Sequence, residues 1–145
     1  MGRTYPPTKP YVVGREKVRE FATAIGDVNP AYHDVDAARA LGYADVVAPP
    51  TFAFAIAYAG SSRAAMDPEL GLDYSRVVHG EQRFAYARPI VAGDALVAIA
   101  TIEAIRAVAG NDILTTRVDL STEAGEHVVT TTTVIVARGT AEESS

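Results

Sequence analysis

Asp27, Asn29, Tyr32 and His33 carry the chemistry most visible in this chain. A carboxylate and an imidazole a few residues apart, with the rigid Pro30 between them, can be held as an acid/base pair. The imidazole changes charge near neutral pH, and the carboxylate can activate a water. The same run reads equally well as an Asx turn that closes a helix, with His33 a solvated loop residue; both readings stay open. Tyr32, with a phenol pKa near 10, is a poor base at neutral pH but a usable hydrogen-bond donor. His79, Glu81 and Gln82 form a second polar group, either a network lining a cleft or the outward face of a half-exposed strand. Other reactive patterns are missing. There is no cysteine to act as nucleophile, disulfide partner or metal ligand. His33, His79 and His127 are dispersed without metal-ligand spacing, so no metal is expected. No Gly-rich phosphate loop and no Gly-x-Ser-x-Gly elbow occurs.

The elements that must position these groups fall in two halves. Residues 1-10 hold three prolines and no periodicity, which reads as an N-terminal arm. Arg15 to Ile25 is an amphipathic helix with Val18, Phe21, Ala22 and Ile25 on one face and Gly26 as its stop. A short helix from about Val35 to Leu41 follows. Thr51 to about Met66 reads as a second major helix, opened by Pro49-Pro50 and capped by Thr51. Phe52, Phe54, Ile56 and Tyr58 among alanines leave it no polar face at first, as expected of a buried helix. From Arg76 the pattern becomes β: Val77–Arg88, Leu96–Val108, Ile113–Thr122 and Val128–Arg138 are rich in Val, Ile, Thr and Tyr. Gly93-Asp94, Gly110-Asn111 and Ala124-Gly125 separate them, which predicts a meander of antiparallel strands, with Val12-Val13 as an added edge. Helices first and strands afterwards make an α+β domain over residues 11-139, with a flexible polar tail at 140-145. An open sheet edge favours pairing with a second chain.

The chain has 145 residues, 48% of them hydrophobic, enough for one domain with a real core. A net charge of −5 and scattered basic residues argue against a nucleic-acid surface. The apolar run from Thr51 to Gly60 is too short to span a membrane, which needs about 20 residues. No cleavable leader is visible, so a cytoplasmic location is expected.

Several short motifs, taken in order, carry a resemblance: Phe21-Ala22 with Gly26-Asp27-Val28-Asn29-Pro30; Ala38-Arg39-Ala40-Leu41-Gly42-Tyr43; Ala48-Pro49-Pro50-Thr51-Phe52; His79-Gly80-Glu81-Gln82-Arg83-Phe84; and Arg88-Pro89-Ile90-Val91-Ala92-Gly93-Asp94. Together they resemble the MaoC-like hot-dog dehydratases and hydratases, most of all the HadA-type subunit of (R)-3-hydroxyacyl thioester dehydratases, over about Val12 to Arg138. The resemblance implies a single hot-dog fold, a long central helix wrapped by a curved antiparallel sheet. It also implies edge-to-edge pairing as a homodimer or as a heterodimer with a MaoC-like subunit. The ligand it implies is an acyl thioester of coenzyme A or acyl carrier protein, handled without metal or redox cofactor. An Asp and a His would act on water and the α-proton, and backbone N–H groups at the start of the buried helix would hold the thioester oxygen.

By that resemblance Asp27 takes the aspartate's place, with His33 as its partner. Asn29, Tyr32, Pro50, Thr51 and Phe52 become substrate-binding candidates. Two positions depart from the family pattern. Tyr32 stands where Asn-Pro-any-His has its histidine, and His33 comes one residue later. Pro49-Pro50 stands where active relatives carry His-Gly. Proline has no N–H, and loss of one oxyanion donor costs on the order of 100- to 1000-fold in rate. The expectation is therefore a catalytically degenerate, substrate-binding subunit working beside a MaoC-like catalytic partner. A self-sufficient homodimeric hydratase using Asp27 and His33 is the alternative. A non-enzymatic acyl-thioester binding module is the third reading, and a hot-dog thioesterase the weakest.

Overall fold

The computed structural model describes residues 2–139, without the side chain of Tyr74; the polar tail expected at 140-145 lies outside the described residues. Strand β1 (Tyr11–Val12) leads into helix α1 (Arg15–Ala24), then α2 (Val35–Ala40) and the long α3 (Phe52–Ala65). Strands β2 (Val77–Tyr86), β3 (Ala95–Val108), β4 (Asn111–Thr122) and β5 (His127–Ala137) complete the chain. The five strands form one antiparallel sheet in the order β1-β3-β4-β5-β2.

Helix α3 is the organising element. It spans Phe52–Ala65, as the sequence predicts, although its large residues alternate as a strand's would. Phe52, Ile56, Ala53, Ala57 and Gly60 are buried, whereas Tyr58 is 49% exposed. The helix therefore has a wet side, although its sequence is apolar at first all round. Small residues let it lie close to the sheet: a Cβ built on Gly60 would sit 3.5 Å from that of Ala100 and 3.7 Å from that of Ala98. Phe52 anchors the N-terminal end, edge-on to Phe21 of α1 at 5.3 Å between ring centres. Aromatic pairs of this geometry add about 0.5–1.5 kcal/mol beyond burial.

Two expectations need correction. The meander is broken: β3, β4 and β5 are joined by hairpins, but β2 pairs with β5, not β3. The segment after β2 crosses the end of the sheet, held by Ala48 N–H to Ile90 O at 2.8 Å and Ala92 N–H to Val46 O at 3.0 Å. Gly93-Asp94 thus turns a crossover, not a hairpin. Thr51 makes no side-chain cap either. Capping through a hydroxyl needs extended backbone at the cap residue, and Thr51 already has φ −80° and ψ −7° because the Pro49 carbonyl accepts the Phe52 N–H at 2.9 Å.

The N-terminal residues run along the outer edge of β3. N–H groups of Gly2, Tyr5 and Thr8 donate to Ile102, Ala100 and Ala98 carbonyls at 2.8, 2.9 and 3.0 Å. Pro6, Pro7 and Pro10 interrupt the donors on that side, a common way to blunt a sheet edge. Strand β2 bounds the opposite edge and, among the described residues, pairs only with β5.

Candidate functional site

The loop from Asp27 to Asp34 is tied shut by its own polar groups. Helix α1 ends at Gly26, whose φ of +74° suits glycine, and Asp27 N–H reaches the Ala22 carbonyl at 2.9 Å. Asp27 Oδ1 accepts the Asn29 N–H at 3.0 Å, and Asn29 Oδ1 accepts the Ala31 N–H at 3.1 Å. These Asx turns feed the one-turn 3-10 helix Pro30–Tyr32. The His33 ring then closes the loop, with Nε2 2.8 Å from the main-chain oxygen of Asp27. A carbonyl only accepts, so Nε2 carries a proton and Nδ1 is the nitrogen left to act as a base. Arg19 Nε donates to the His33 carbonyl at 2.8 Å and fixes the loop to α1. Asp27 and His33 are therefore brought together, but the ring bonds main chain and not the carboxylate.

A cavity of about 480 Å3 opens beside this loop, lined among others by Asn29, Tyr32, Tyr43, Pro50, Tyr86 and Arg88. Of the residues named from sequence, Asn29, Tyr32 and Pro50 line it. Asp27, His33 and Thr51 do not, and Phe52 is core at 1% exposure. Burial, then the nearby Asp27 charge, pushes the Tyr32 phenol above its ordinary pKa, so it faces the cavity as a neutral donor.

Tyr86 is the residue that sequence reasoning missed. It comes from the end of β2 and its hydroxyl donates to the Pro50 carbonyl at the start of α3. Burial pushes this phenol up to about 12, with the Ala53 backbone N–H working the other way. The phenol thus occupies the place where a helix start offers free N–H groups. Its alternation with Gln82 and Phe84 marked it as inward-facing. Only the pairing of β2 with β5 sets it over α3, and the expected meander hid that pairing.

The other candidates resolve simply. Arg88, which lines the cavity, is held by Asp94 and Glu126, at 2.9 and 3.1 Å. Glu81 pairs with Arg83 at 2.7 Å. His79 lies tilted against Phe54, ring centres 5.5 Å apart, and exposed His127 reaches Thr130 at 2.8 Å. Among the described residues, no group of His, Asp or Glu gathers as a metal site, and no helix is long and apolar enough to cross a membrane.

A long helix within a curled antiparallel sheet, with a cleft at the helix start, defines a hot-dog protein of the dehydratase and hydratase class. Residues 1–131 match the family model described as the FAS1-like, dehydratase domain region, and the chain belongs to that family. It is 61% identical over 142 residues to a UPF0336 protein of Streptomyces avermitilis, covering 98% of this chain and 95% of that one. Among solved structures it is similar to a MaoC-like dehydratase, with 40% identity and a TM-score of 0.88 over 95% of this chain. This chain spans only 42% of that protein's length. It is also similar to a chain of the HadBC (3R-hydroxyacyl-ACP dehydratase) complex of Mycobacterium tuberculosis, with 34% identity, a TM-score of 0.79, and 93% and 95% of the two chains covered.

Proposed function

We propose that this chain is the substrate-binding, catalytically degenerate half of an (R)-specific 3-hydroxyacyl-thioester dehydratase, which in reverse hydrates an enoyl thioester, and that a MaoC-like subunit supplies the acid/base residues. The thioester would be carried by coenzyme A or acyl carrier protein. The observation that carries this reading is the start of α3. Pro49 and Pro50 have no N–H, the Phe52 N–H is spent on the Pro49 carbonyl, and the Tyr86 phenol sits against Ala53. An oxyanion needs preorganised donors that are free when the charge develops, and in this turn only Thr51 could still offer its N–H. Tyr32, facing the cavity in place of a histidine, can orient a substrate oxygen by donating a hydrogen bond but is a poor base at neutral pH.

Support for a second unit comes from the relatives. One solved neighbour has a chain more than twice as long as the part this chain matches, and another is a two-protein complex by name. The open β2 edge gives such a partner a place to pair. Because Asp27 and His33 share one closed loop, the self-sufficient homodimer is the second reading.

Co-expression with a MaoC-like chain that carries Asn-Pro-any-His and His-Gly separates the two. Each chain alone, and both together, would be assayed with an enoyl thioester. The expected result is rapid hydration only by the pair, changed less than about threefold by Asp27→Asn in this chain, since a group outside the transition state contributes little to rate. Ordinary enzymatic rates from this chain alone, abolished by Asp27→Asn or His33→Ala, would establish the homodimeric enzyme instead.

A further inference from the structure

Tyr43 lines the cavity of about 480 Å3 together with Tyr32, although its neighbours in the sequence give it no chemical role. The end of α2 sets its position. The helix closes in a Schellman motif: Gly42 N–H donates to the Arg39 carbonyl at 3.0 Å and Tyr43 N–H to the Ala38 carbonyl at 3.1 Å. Gly42 holds φ +96°, which this closure asks of the residue just past the helix. Beyond Tyr43, Arg39 Nε donates to the Ala44 carbonyl at 3.2 Å. Val47 N–H then returns to the Ala31 carbonyl at 2.9 Å, next to Tyr32. The segments that carry the two tyrosines are thus fixed to each other.

The two phenols differ from the other polar groups of the cavity in what their hydroxyls do. Tyr86 donates to the Pro50 carbonyl, and Arg88 spends its guanidinium on Asp94, Glu126 and the Pro89 carbonyl. Among the described residues, no hydrogen bond engages the hydroxyl of Tyr32 or of Tyr43. Neither oxygen is sealed in the interior. Among the described residues, Gln82 Nε2 is the only buried side-chain nitrogen or oxygen without a partner, and both tyrosines are half-buried. Each hydroxyl is therefore an accessible donor. They also lie near each other, since Tyr43 adds to burial and Asp27 in raising the Tyr32 phenol above its ordinary pKa.

We propose that Tyr43 is a substrate-binding residue, and that its hydroxyl and that of Tyr32 jointly donate to the thioester carbonyl oxygen. A carbonyl oxygen has two lone pairs and can accept from two donors at once. The phenols would supply from side chains what a helix start opened by Pro49 and Pro50 withholds from its main chain. Holding an oxygen needs no base, which suits a subunit that binds without turning over. This rests on the acyl-thioester reading above and deepens it: the cleft recognises the carbonyl of its ligand and not only the apolar chain.

The test is a calorimetric titration of the purified full chain with hexanoyl-CoA and with S-hexyl-CoA, the thioether in which a methylene replaces the carbonyl. Neither has a double bond to hydrate, so binding alone is read. The thioester should bind about tenfold to thirtyfold more tightly, the order that two net hydrogen bonds give. Tyr43→Phe and Tyr32→Phe should each weaken thioester binding about threefold to tenfold and leave the thioether unchanged. The double variant should not distinguish the two ligands. Thermal midpoints should stay where they are, because neither hydroxyl bonds anything else in the described chain. Equal affinities for the two ligands in the unaltered chain, or a Tyr43→Phe loss shared by both, would overturn the assignment of Tyr43 and leave the acyl-thioester reading intact. Failure of the folded chain to bind either ligand would overturn both.

Discussion

Tyr86 is where a single residue decides the character of the site. Its hydroxyl bridges the end of β2 to the Pro50 carbonyl just ahead of α3 and crowds the amides of that turn. Removing the hydroxyl in Tyr86→Phe should cost about 1 kcal/mol, the usual net worth of such a bond, read as a lower urea midpoint with unchanged slope. The phenol also predicts a pH effect with a definite sign. Its folded pKa, about 12, lies above the ordinary value of 10. The neutral form is thus favoured in the folded state, and the contribution is present below pH 10 and lost as pH rises towards 12. Tyrosinate absorbance should show a late-titrating phenol in the native protein that is missing from Tyr86→Phe. An unchanged titration curve would place the hydroxyl in solvent. At this scale the sequence was legible in part. Asp27, Asn29, Tyr32 and His33 were visible as a cluster because they are neighbours in the chain. Tyr86 was not, because it reaches the site only through pairing with a strand more than forty residues on.

Among the elements, local signals sufficed wherever one segment settles its own structure. The bounds of α1, α3 and the four long strands fall within about two residues of those read from periodicity and turn residues, the usual scatter of boundaries. What could not be read was order in the sheet. Turn residues such as Gly93-Asp94 say that the chain turns, not which strand it then meets, and the crossover is set by contacts with Val46 and Ala48, far off in sequence. The hairpin turn between β3 and β4 offers a clean test of local strain. Ala109 holds φ +52°, a left-handed conformation costing an L-residue about 1–2 kcal/mol, which asparagine tolerates better. Ala109→Asn should raise stability by about 0.5–1 kcal/mol by the same measure, seen as a higher thermal midpoint. The N-terminal arm offers another. Tyr5 and Arg3 both bond Asp67 Oδ2 at 2.7 Å, and with the Glu69 N–H they hold this carboxyl below its usual range. A lowered folded pKa gives anchoring that is present above the unfolded value and lost as pH falls through the folded one. Asp67→Asn at neutral pH should imitate that loss. Limited proteolysis should then clip the first ten residues faster than in the unaltered chain, and equal rates would mean that the backbone bonds to β3 suffice.

For the molecule as a whole, the two sheet edges are unequal, and that inequality predicts where a second chain would pair. One edge is covered by the arm and interrupted by prolines; the other, β2, has ten residues and, among the described residues, a single neighbouring strand. Long open edges invite another chain. Around β2 the surface is also apolar: Val78 is 39% and Tyr58 49% exposed, with Phe54 between Tyr58 and His79. Tyr58 and His79 line a second cavity, of about 210 Å3, and Tyr86 of β2 lines the first, so a partner paired at β2 would border both. The expected assembly is edge-to-edge pairing through β2, with a second copy when the chain is alone and with the MaoC-like subunit when that is present. Sedimentation velocity should find a dimer of the isolated chain. Val78→Glu with Tyr58→Glu should weaken it at least tenfold, since burying an unpaired carboxylate costs several kcal/mol. The monomer's fold should survive, because both residues are partly exposed and outside the packed core. A dimer untouched by these changes but broken by alterations along the N-terminal arm would move the interface to the other edge, and with it the claim that the partner completes the site.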